Sequence, residues 1–122
     1  KTNMVISGKQ CSTQASVEEV AKSTVRCLLK NVPSELAGIV FLSGGQSAEL
    51  ATAHLNAMNQ NNKDLPWPLS FSYGRALQEP CLKAWGGEST NIEAAQKALL
   101  HREKCNGLAC KGEYDEKMEE AA

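Results

Sequence analysis

The sequence lacks several features that mark whole classes of protein. No apolar run comes near the roughly 18 to 20 residues that a membrane-spanning helix needs, and the amino end has no apolar core of a signal peptide. Neither sign of charge dominates, because 13 basic residues against 14 acidic ones give a net charge of −1. Neither a nucleic acid nor an anionic membrane surface is therefore an expected partner.

Cysteine is present, but not in a pattern that supports a metal site or a disulfide framework. The number is odd, no two cysteines form a Cys-x-x-Cys pair, and His54 and His101 lie far from any paired ligand spacing. We therefore expect no metal, and a reducing, cytoplasmic compartment. Helical patterns surround three of the cysteines and favour burial over catalysis for them: Cys27, Cys105 and Cys110.

The most informative segments are Gly38 to Gly45 and Leu69 to Arg75. Each is a run of strand length that stops at glycine and passes into a helical pattern. Glycine after a strand lets backbone N–H groups approach a ligand, and the amino end of the next helix favours an anion. With the fixed charge of Arg75, the arrangement predicts a phosphate site on one rim of a parallel sheet. Alternatively, Gly44 and Gly45 are ordinary turn residues and Arg75 is a solvated surface charge.

Helices are predicted between and after these strands. Ser16 with Glu19 forms a capping-box pattern, and so does Thr90 with Glu93. Pro80 interrupts the pattern that follows Arg75, so a short broken helical piece is expected there. The predicted helices run from Ser16 to about Asn31, from Ser47 to Asn59, from Ala76 to Trp85 with a break, and from Thr90 to about Ala109, where Gly112 can end the last one.

Two predictions concern the core. The inner face of the second helix is predicted to consist of Leu50, Ala51, His54, Leu55 and Met58. His54 is expected to be buried or half-buried there. Trp67 lies between two prolines that force an extended chain into the next strand, and it is predicted to be a packing anchor.

The alternation of strands and helices predicts an α/β fold with a parallel sheet. It fits a doubly wound sheet or a barrel, and the even unit length with ligand signals at successive strand ends favours a TIM (β/α)8 barrel. A closed barrel has eight units and typically about 250 residues. This chain supplies about three βα units, residues 1–112, followed by an acidic tail, residues 113–122, that is expected to be loosely held.

Several separated segments resemble, in order and spacing, the carboxyl-terminal third of class I fructose-bisphosphate aldolases. The resemblance runs from Lys1 to about Gly112 and is carried by Lys1–Val5, Gly38–Ser47, Ala53–Asn59, Phe71–Leu77 and Ala84–Gly87. Two features depart from the family pattern. Thr2 stands where the family usually has proline, and the acidic ending does not resemble the longer animal-type tail with its terminal tyrosine.

The resemblance implies a role for each matching residue. Lys1 falls on the family's Schiff-base lysine, at the end of the sixth barrel strand. A substrate phosphate is held in the family by the loops after the seventh and eighth strands, which match Ser43, Gly44 and Gly45 in the first loop and Ser72, Gly74 and Arg75 in the second. The implied reaction needs no metal or other cofactor. It is the reversible cleavage of fructose 1,6-bisphosphate into dihydroxyacetone phosphate and glyceraldehyde 3-phosphate, a step of glycolysis and gluconeogenesis.

The resemblance also implies that the chain is a fragment whose partners are sugar phosphates, the rest of the barrel and, in the full-length family, further copies in a tetramer. An exposed terminal lysine is not expected to act as a nucleophile in the isolated chain. The family's other acids and bases come from earlier strands. The alternative hypothesis is a non-catalytic phosphate-binding or assembly module, because an open three-unit sheet can bury its edges only against another chain.

Overall fold

A computed structural model describes residues 1–121. This part of the chain has four α-helices and two short strands in the order that the sequence predicts, and the last two helices follow each other with no strand between them. Their bounds are α1 Val17–Asn31, β1 Ile39–Phe41, α2 Ala48–Asn61, β2 Leu69–Phe71, α3 Arg75–Trp85 and α4 Ile92–Ala109, with single 3-10 segments at Ser89–Asn91 and Glu116–Ala121. Within residues 1–121, none of these helices combines the length and the apolar character needed to cross a membrane.

The strands run parallel and lie side by side in chain order. β1 pairs with β2 so that Val40 lies opposite Ser70. Thr2 makes an isolated parallel bridge to Phe41, with its N–H bonded to the Val40 carbonyl at 3.2 Å and its carbonyl accepting from the Leu42 N–H at 2.9 Å. The opening segment therefore lies parallel to β1 as a strand segment held by this one bridge. We call it the first strand, because it precedes β1 in the chain. Like β1 and β2, it is followed by a helix.

Serine caps begin the first two helices. The Ser16 hydroxyl accepts from the Glu19 N–H at 3.2 Å, and the Ser47 hydroxyl accepts from the Leu50 N–H at 3.1 Å. Each bond satisfies one of the N–H groups that a helix start leaves without a partner. The side chain of Glu19 accepts a bond from the Ser23 hydroxyl instead of reaching back to the cap. The predicted helix start is therefore confirmed, although only half of the capping box forms.

The core lies between one face of the sheet and the helices. Phe41 from β1 and Leu55 and Met58 from α2 are fully buried. Trp67 is 3% exposed, and its indole N–H donates to the Pro33 carbonyl at 2.7 Å, which confirms it as a packing anchor.

Burial differs from prediction at two positions. Leu50 lies in the first turn of α2 and is 41% exposed, so it does not belong to the inner face. Cys27 is exposed on α1, whereas Cys105 is buried as predicted. Helical periodicity identifies one side of a helix, but it does not say how far along its length the neighbouring elements cover that side.

The predicted break in α3 is wrong. The helix is continuous from Arg75 to Trp85 with Pro80 inside it, and Gly86 ends it in the left-handed conformation. Proline removes one backbone bond, to the carbonyl of Ala76. Because α3 packs along α4, tertiary contacts support the helix across that gap.

The capping box predicted at Thr90 and Glu93 is also wrong. A 3-10 segment at Ser89–Asn91 precedes α4, which begins at Ile92 without a side-chain cap at Asn91. The Asn91 amide instead donates to the carbonyl of Trp85 at 3.1 Å. The end of α4 at Ala109 matches the prediction, and Gly112 follows with a φ of 72°.

The tail is anchored and not loosely held, which corrects the sequence expectation. Tyr114 is 7% exposed, and its hydroxyl donates to the carboxylate of Glu119 at 2.8 Å. The same carboxylate lies 2.9 Å from His101 Nε2 and accepts from Arg102, which is 3% exposed. Burial by itself raises the pKa of Glu119, but hydrogen bonds from Arg102, His101 and Tyr114 hold it below its usual range. Ala122, the last residue of the predicted tail, lies outside the described residues.

Candidate functional site

The loops that follow β1 and β2 open onto one cavity of about 300 Å³. We call it the rim cavity. Its lining consists of Lys9, Ser43, Gly45, Gln46, Ser47, Arg75 and Glu79. Because the strands are parallel, the carboxyl ends of β1 and β2 lie at the same edge of the sheet, and their loops meet there.

The loop after β1 is a tight turn built around glycine. Gly45 has a φ of 79°, a conformation that side chains other than glycine rarely adopt. An added Cβ there would lie 3.1 Å from Ile6 Cδ1, so the absence of a side chain also lets Ile6, in the segment after Thr2, pack close to the loop. The Asn3 amide donates to the Gly44 carbonyl at 3.1 Å. The opening segment and the glycine turn are therefore fastened to each other.

The loop after β2 passes directly into α3. Arg75 is the first residue of that helix and is exposed, and no side chain caps the helix at Gly74. Nothing lies within 4 Å of the position that a Gly74 Cβ would occupy. A guanidinium at an uncapped helix start, beside open space, suits an anionic group both by charge and by hydrogen-bond geometry.

Lys1 lies on the strand beside β1. Thr2 is opposite Phe41, so Lys1 precedes it at the level of Val40. Successive side chains of a strand alternate between faces, and Val40 is less buried than its neighbours Ile39 and Phe41, which pack toward the helices. Lys1 is therefore on the more open face of the sheet, and it is exposed.

The structure brings some of the predicted site residues together and leaves others beside them. Ser43, Gly45 and Arg75 line the rim cavity, and Ser43 is 8% exposed. Four predicted residues are not part of its lining. Of these, Gly44 lies within the glycine turn, Ser72 and Gly74 lie just before Arg75, and Lys1 is on the adjoining strand.

Sequence reasoning missed Lys9, Gln46, Ser47 and Glu79 in this cavity. A signal existed for two of them: Ser47 caps α2, and Glu79 lies one helical turn after Arg75. Lys9 carried no such signal, because it comes from an irregular loop distant in sequence.

His54 supports the loop from behind. It is 2% exposed, which confirms the predicted packed histidine, and its Nδ1 lies 2.7 Å from the side-chain oxygen of Gln46. Burial lowers the pKa of His54 to about 4. The imidazole is therefore neutral near pH 7, and it donates its Nδ1–H to Gln46, which in turn lines the rim cavity.

A second cluster, His101, Cys105 and Glu119, offers three ligand atoms within 4.8 Å of one another. The spacing of His101 and Cys105, one turn apart on α4, was missed in the sequence. Arg102 donates to the same Glu119 oxygen that contacts His101, so its positive charge lies where a metal ion would bind. This cluster is better suited to anchoring the tail than to holding a cation.

Comparison with known proteins places this geometry in a family. The family model described as class I fructose-bisphosphate aldolase matches residues 1–122. A probable class 1 fructose-bisphosphate aldolase of Xanthomonas axonopodis pv. citri is 58% identical over 115 residues, which are 93% of this chain and 34% of that protein. The aldolase of Dictyostelium discoideum is 55% identical over 114 residues, covering 93% of this chain and 32% of that protein.

A solved structure agrees. The fructose-bisphosphate aldolase of Plasmodium falciparum, crystallised with TRAP and a small-molecule inhibitor, superposes with a TM-score of 0.88 at 45% identity, over 93% of this chain and 32% of that one. The chain thus spans about a third of the length of the relatives that it matches. Its three parallel strand segments and their helices are part of a TIM barrel, which confirms the predicted fold class. The chain belongs to the class I fructose-bisphosphate aldolase family.

Proposed function

We propose that this chain contributes the Schiff-base lysine and the phosphate-binding loops of an enzyme that reversibly cleaves fructose 1,6-bisphosphate into dihydroxyacetone phosphate and glyceraldehyde 3-phosphate. The observation that carries the proposal is that Ser43, Gly45 and Arg75 line one cavity next to the strand that bears Lys1. The comparisons support the lyase family, and the residue roles are our proposal.

In the proposed reaction, the neutral amine of Lys1 attacks the C2 ketone of the sugar. Loss of water gives an iminium. When the C3–C4 bond breaks, its electron pair moves into this iminium to form an enamine, and the C4 hydroxyl gives up its proton as the aldehyde leaves. Protonation at C3 and hydrolysis of the iminium then release dihydroxyacetone phosphate and the free lysine.

The rim cavity holds the C1 phosphate in this scheme. Arg75 offers paired N–H donors that fit phosphate oxygens, and Ser43 and the backbone of Gly45 supply neutral hydrogen bonds from the same lining. Ser72, Gly44 and Gly74, which lie in the two loops outside the lining, are proposed to add further hydrogen bonds. Fixing the phosphate fixes C2 against the amine, which replaces a random encounter by an oriented one.

The other acids and bases, and the walls that desolvate Lys1, come from the remaining barrel units of the whole protein. A lysine must lose its proton to attack, and desolvation inside a closed barrel favours the neutral amine. Lys1 is exposed in this chain. We therefore propose that the complete protein is the active one, as a cytoplasmic glycolytic enzyme that assembles as a tetramer.

Borohydride trapping tests the role of Lys1. Dihydroxyacetone phosphate is incubated with the protein, the imine is reduced, and the modified residue is mapped by mass spectrometry. Lys1 at a free chain end also carries an α-amino group, a second amine that can form an imine with the ketone. The test therefore uses a chimera in which the amino-terminal part of the Xanthomonas relative precedes Lys1, which leaves only the ε-amine.

The expected result is an adduct on Lys1 of the chimera and its loss in Lys1→Met, with cleavage activity falling by at least about a thousandfold because the covalent route is removed. Lys22→Met is the matched control, since Lys22 is an exposed lysine on α1 away from the rim cavity. An unmodified Lys1 in an otherwise folded, phosphate-binding chimera would refute the proposal.

The module hypothesis has one observation in its favour. Large apolar side chains remain exposed on this chain, among them Val5, Leu29 and Leu36 at 46 to 53%. A partner chain that covered these side chains would remove their apolar surface from water, which favours association. A chimera that binds phosphate but forms no adduct and cleaves no sugar would favour a binding or assembly module over an enzyme.

A further inference from the structure

The rim cavity contains two cations, and the family resemblance assigns a role to only one of them. Arg75 matches the known phosphate-binding position, whereas Lys9 enters the lining from the loop between the first strand and α1. Glu79 supplies the single carboxylate. Within residues 1–121, neither Lys9 nor Arg75 makes a salt bridge. Both charges are therefore available to a ligand.

The backbone that carries Lys9 is held in place. Lys9 follows Gly8 in a turn closed by the Cys11 N–H, which donates to the Gly8 carbonyl at 2.9 Å. The Gln14 amide donates to the Gly8 carbonyl at 3.1 Å and to the Cys11 carbonyl at 3.0 Å. A turn fixed at both ends leaves a long side chain free to swing while its Cα stays near the cavity.

The contact between Ile6 and Gly45 explains why this turn lies at the rim. Ile6 packs where a Gly45 side chain would otherwise be, and the chain passes from there into the Gly8 turn. The same glycine that shapes the phosphate loop therefore also brings the lysine loop against it.

We propose that Lys9 is a second phosphate-binding cation of this site. Its ammonium group contacts the ketose phosphate that Arg75 also binds. The inference rests on the proposed function and names a further residue for it. A phosphate monoester carries about −1.5 to −2 charge at pH 7, which one arginine neutralises only in part. Lys9 supplies the balance as a mobile point charge, while Arg75 fixes orientation with its planar group.

Removing the charge of Glu79 is expected to change the phosphate affinity in the opposite direction to removing the charge of Lys9. Its carboxylate shares the cavity with both cations and repels the dianion. If the cavity binds phosphate through Lys9 and Arg75 together, removing the Glu79 charge strengthens binding, whereas removing the Lys9 charge weakens it.

Inorganic phosphate, and then dihydroxyacetone phosphate, are titrated at constant ionic strength into the chimera carrying Lys1→Met, which blocks imine formation at that lysine, and binding is measured by calorimetry. Lys9→Gln is expected to raise the dissociation constant about threefold to fivefold, the range expected for one exposed ion pair. Lys9→Arg restores binding, and Glu79→Gln lowers the constant by a similar factor. Lys83→Gln, an exposed lysine at the far end of α3, is the matched control and leaves it unchanged.

The outcomes separate this inference from the proposed function. If Arg75→Ala abolishes phosphate binding while Lys9→Gln matches the wild type, Lys9 is not a phosphate ligand and the proposed function stands. If the chimera with unchanged site residues binds no phosphate, both fail. In the chimera, Lys9→Gln is expected to raise KM for the bisphosphate with kcat nearly unchanged, whereas a role confined to folding would lower the amount of active enzyme and leave KM as it was.

Discussion

At the scale of single residues, His54 makes the protein sensitive to acid. Its pKa falls to about 4 from the ordinary 6.5, so the folded state favours the neutral ring. Stability from this residue is therefore complete above pH 6.5 and is lost as the pH falls from 6.5 toward 4. The two pKa values correspond to a loss of up to about 3 kcal/mol.

Urea unfolding at several pH values measures this loss. His54→Asn is the useful variant, because its amide can still donate to Gln46 but does not titrate. The difference in unfolding free energy between wild type and variant should shrink as the pH falls below 6.5. If the difference stays constant from pH 7 to 4.5, the assignment of His54 as a buried neutral ring is wrong.

At the scale of secondary-structure elements, two glycines near the end of α4 have opposite roles. Gly112 has a positive φ, and a Cβ there would lie 2.8 Å from the backbone of Gln60 in α2. Gly107 lies inside α4 with open space where its Cβ would be. We expect Gly112→Ala to destabilise the chain by more than about 2 kcal/mol and Gly107→Ala to stabilise it by about 0.5 to 1 kcal/mol.

Thermal unfolding of both variants beside the wild type checks the pair. Each substitution replaces a glycine by alanine in the same stretch of chain, so the reduced backbone entropy of the unfolded chain alone would move both melting temperatures upward. Equal shifts in one direction would show that the close approach of the turn to α2 has no energetic effect.

The elements themselves were largely predictable from the sequence, because their signals are local. Serine caps fixed the starts of α1 and α2, and Gly112 marked the region just past α4. Pro80 led to a wrong prediction of a break in α3, because packing of α3 on α4 outweighs one missing backbone bond. Thr90 led to a wrong prediction of a cap, because a 3-10 segment precedes α4 instead. In the candidate site, adjacent loops were predictable from parallel topology. Lys9 was not, because no local rule says where a loop side chain will lie.

At the scale of the whole molecule, one carboxylate joins the tail to the rest of the chain. Glu119 is the counter-charge of the buried Arg102, whose Nη2 donates to the Thr52 hydroxyl and to the Ala48 carbonyl in α2. From its place on α4, the Arg102 guanidinium therefore bonds to both the tail and α2. Removing the charge of Glu119 leaves a buried cation without its partner.

We expect Glu119→Gln to cost about 1 to 2 kcal/mol at pH 7, less than for a fully buried pair because Glu119 is 21% exposed. The pKa of Glu119 is lowered, so its contribution is present above the unfolded value near 4.3 and is lost as the pH falls further. The unfolding free energies of wild type and variant should therefore converge in acid.

Glu120→Gln, at an exposed neighbouring carboxylate, is the control. Limited proteolysis after Lys111 or Lys117 reports release of the tail; cleavage at equal rates in both variants would contradict the anchor.

The burial of Trp67 has a practical consequence for all of these measurements. The chain has two tryptophans: Trp67 is 3% exposed and bonded through its indole to Pro33, whereas Trp85 is 42% exposed at the end of α3. Polarity around an indole shifts its emission, so Trp85→Phe leaves an intrinsic fluorescent reporter for the strand-side core alone. Collapse of that core, and any tightening when the missing barrel units are added, can then be followed optically without attaching a dye.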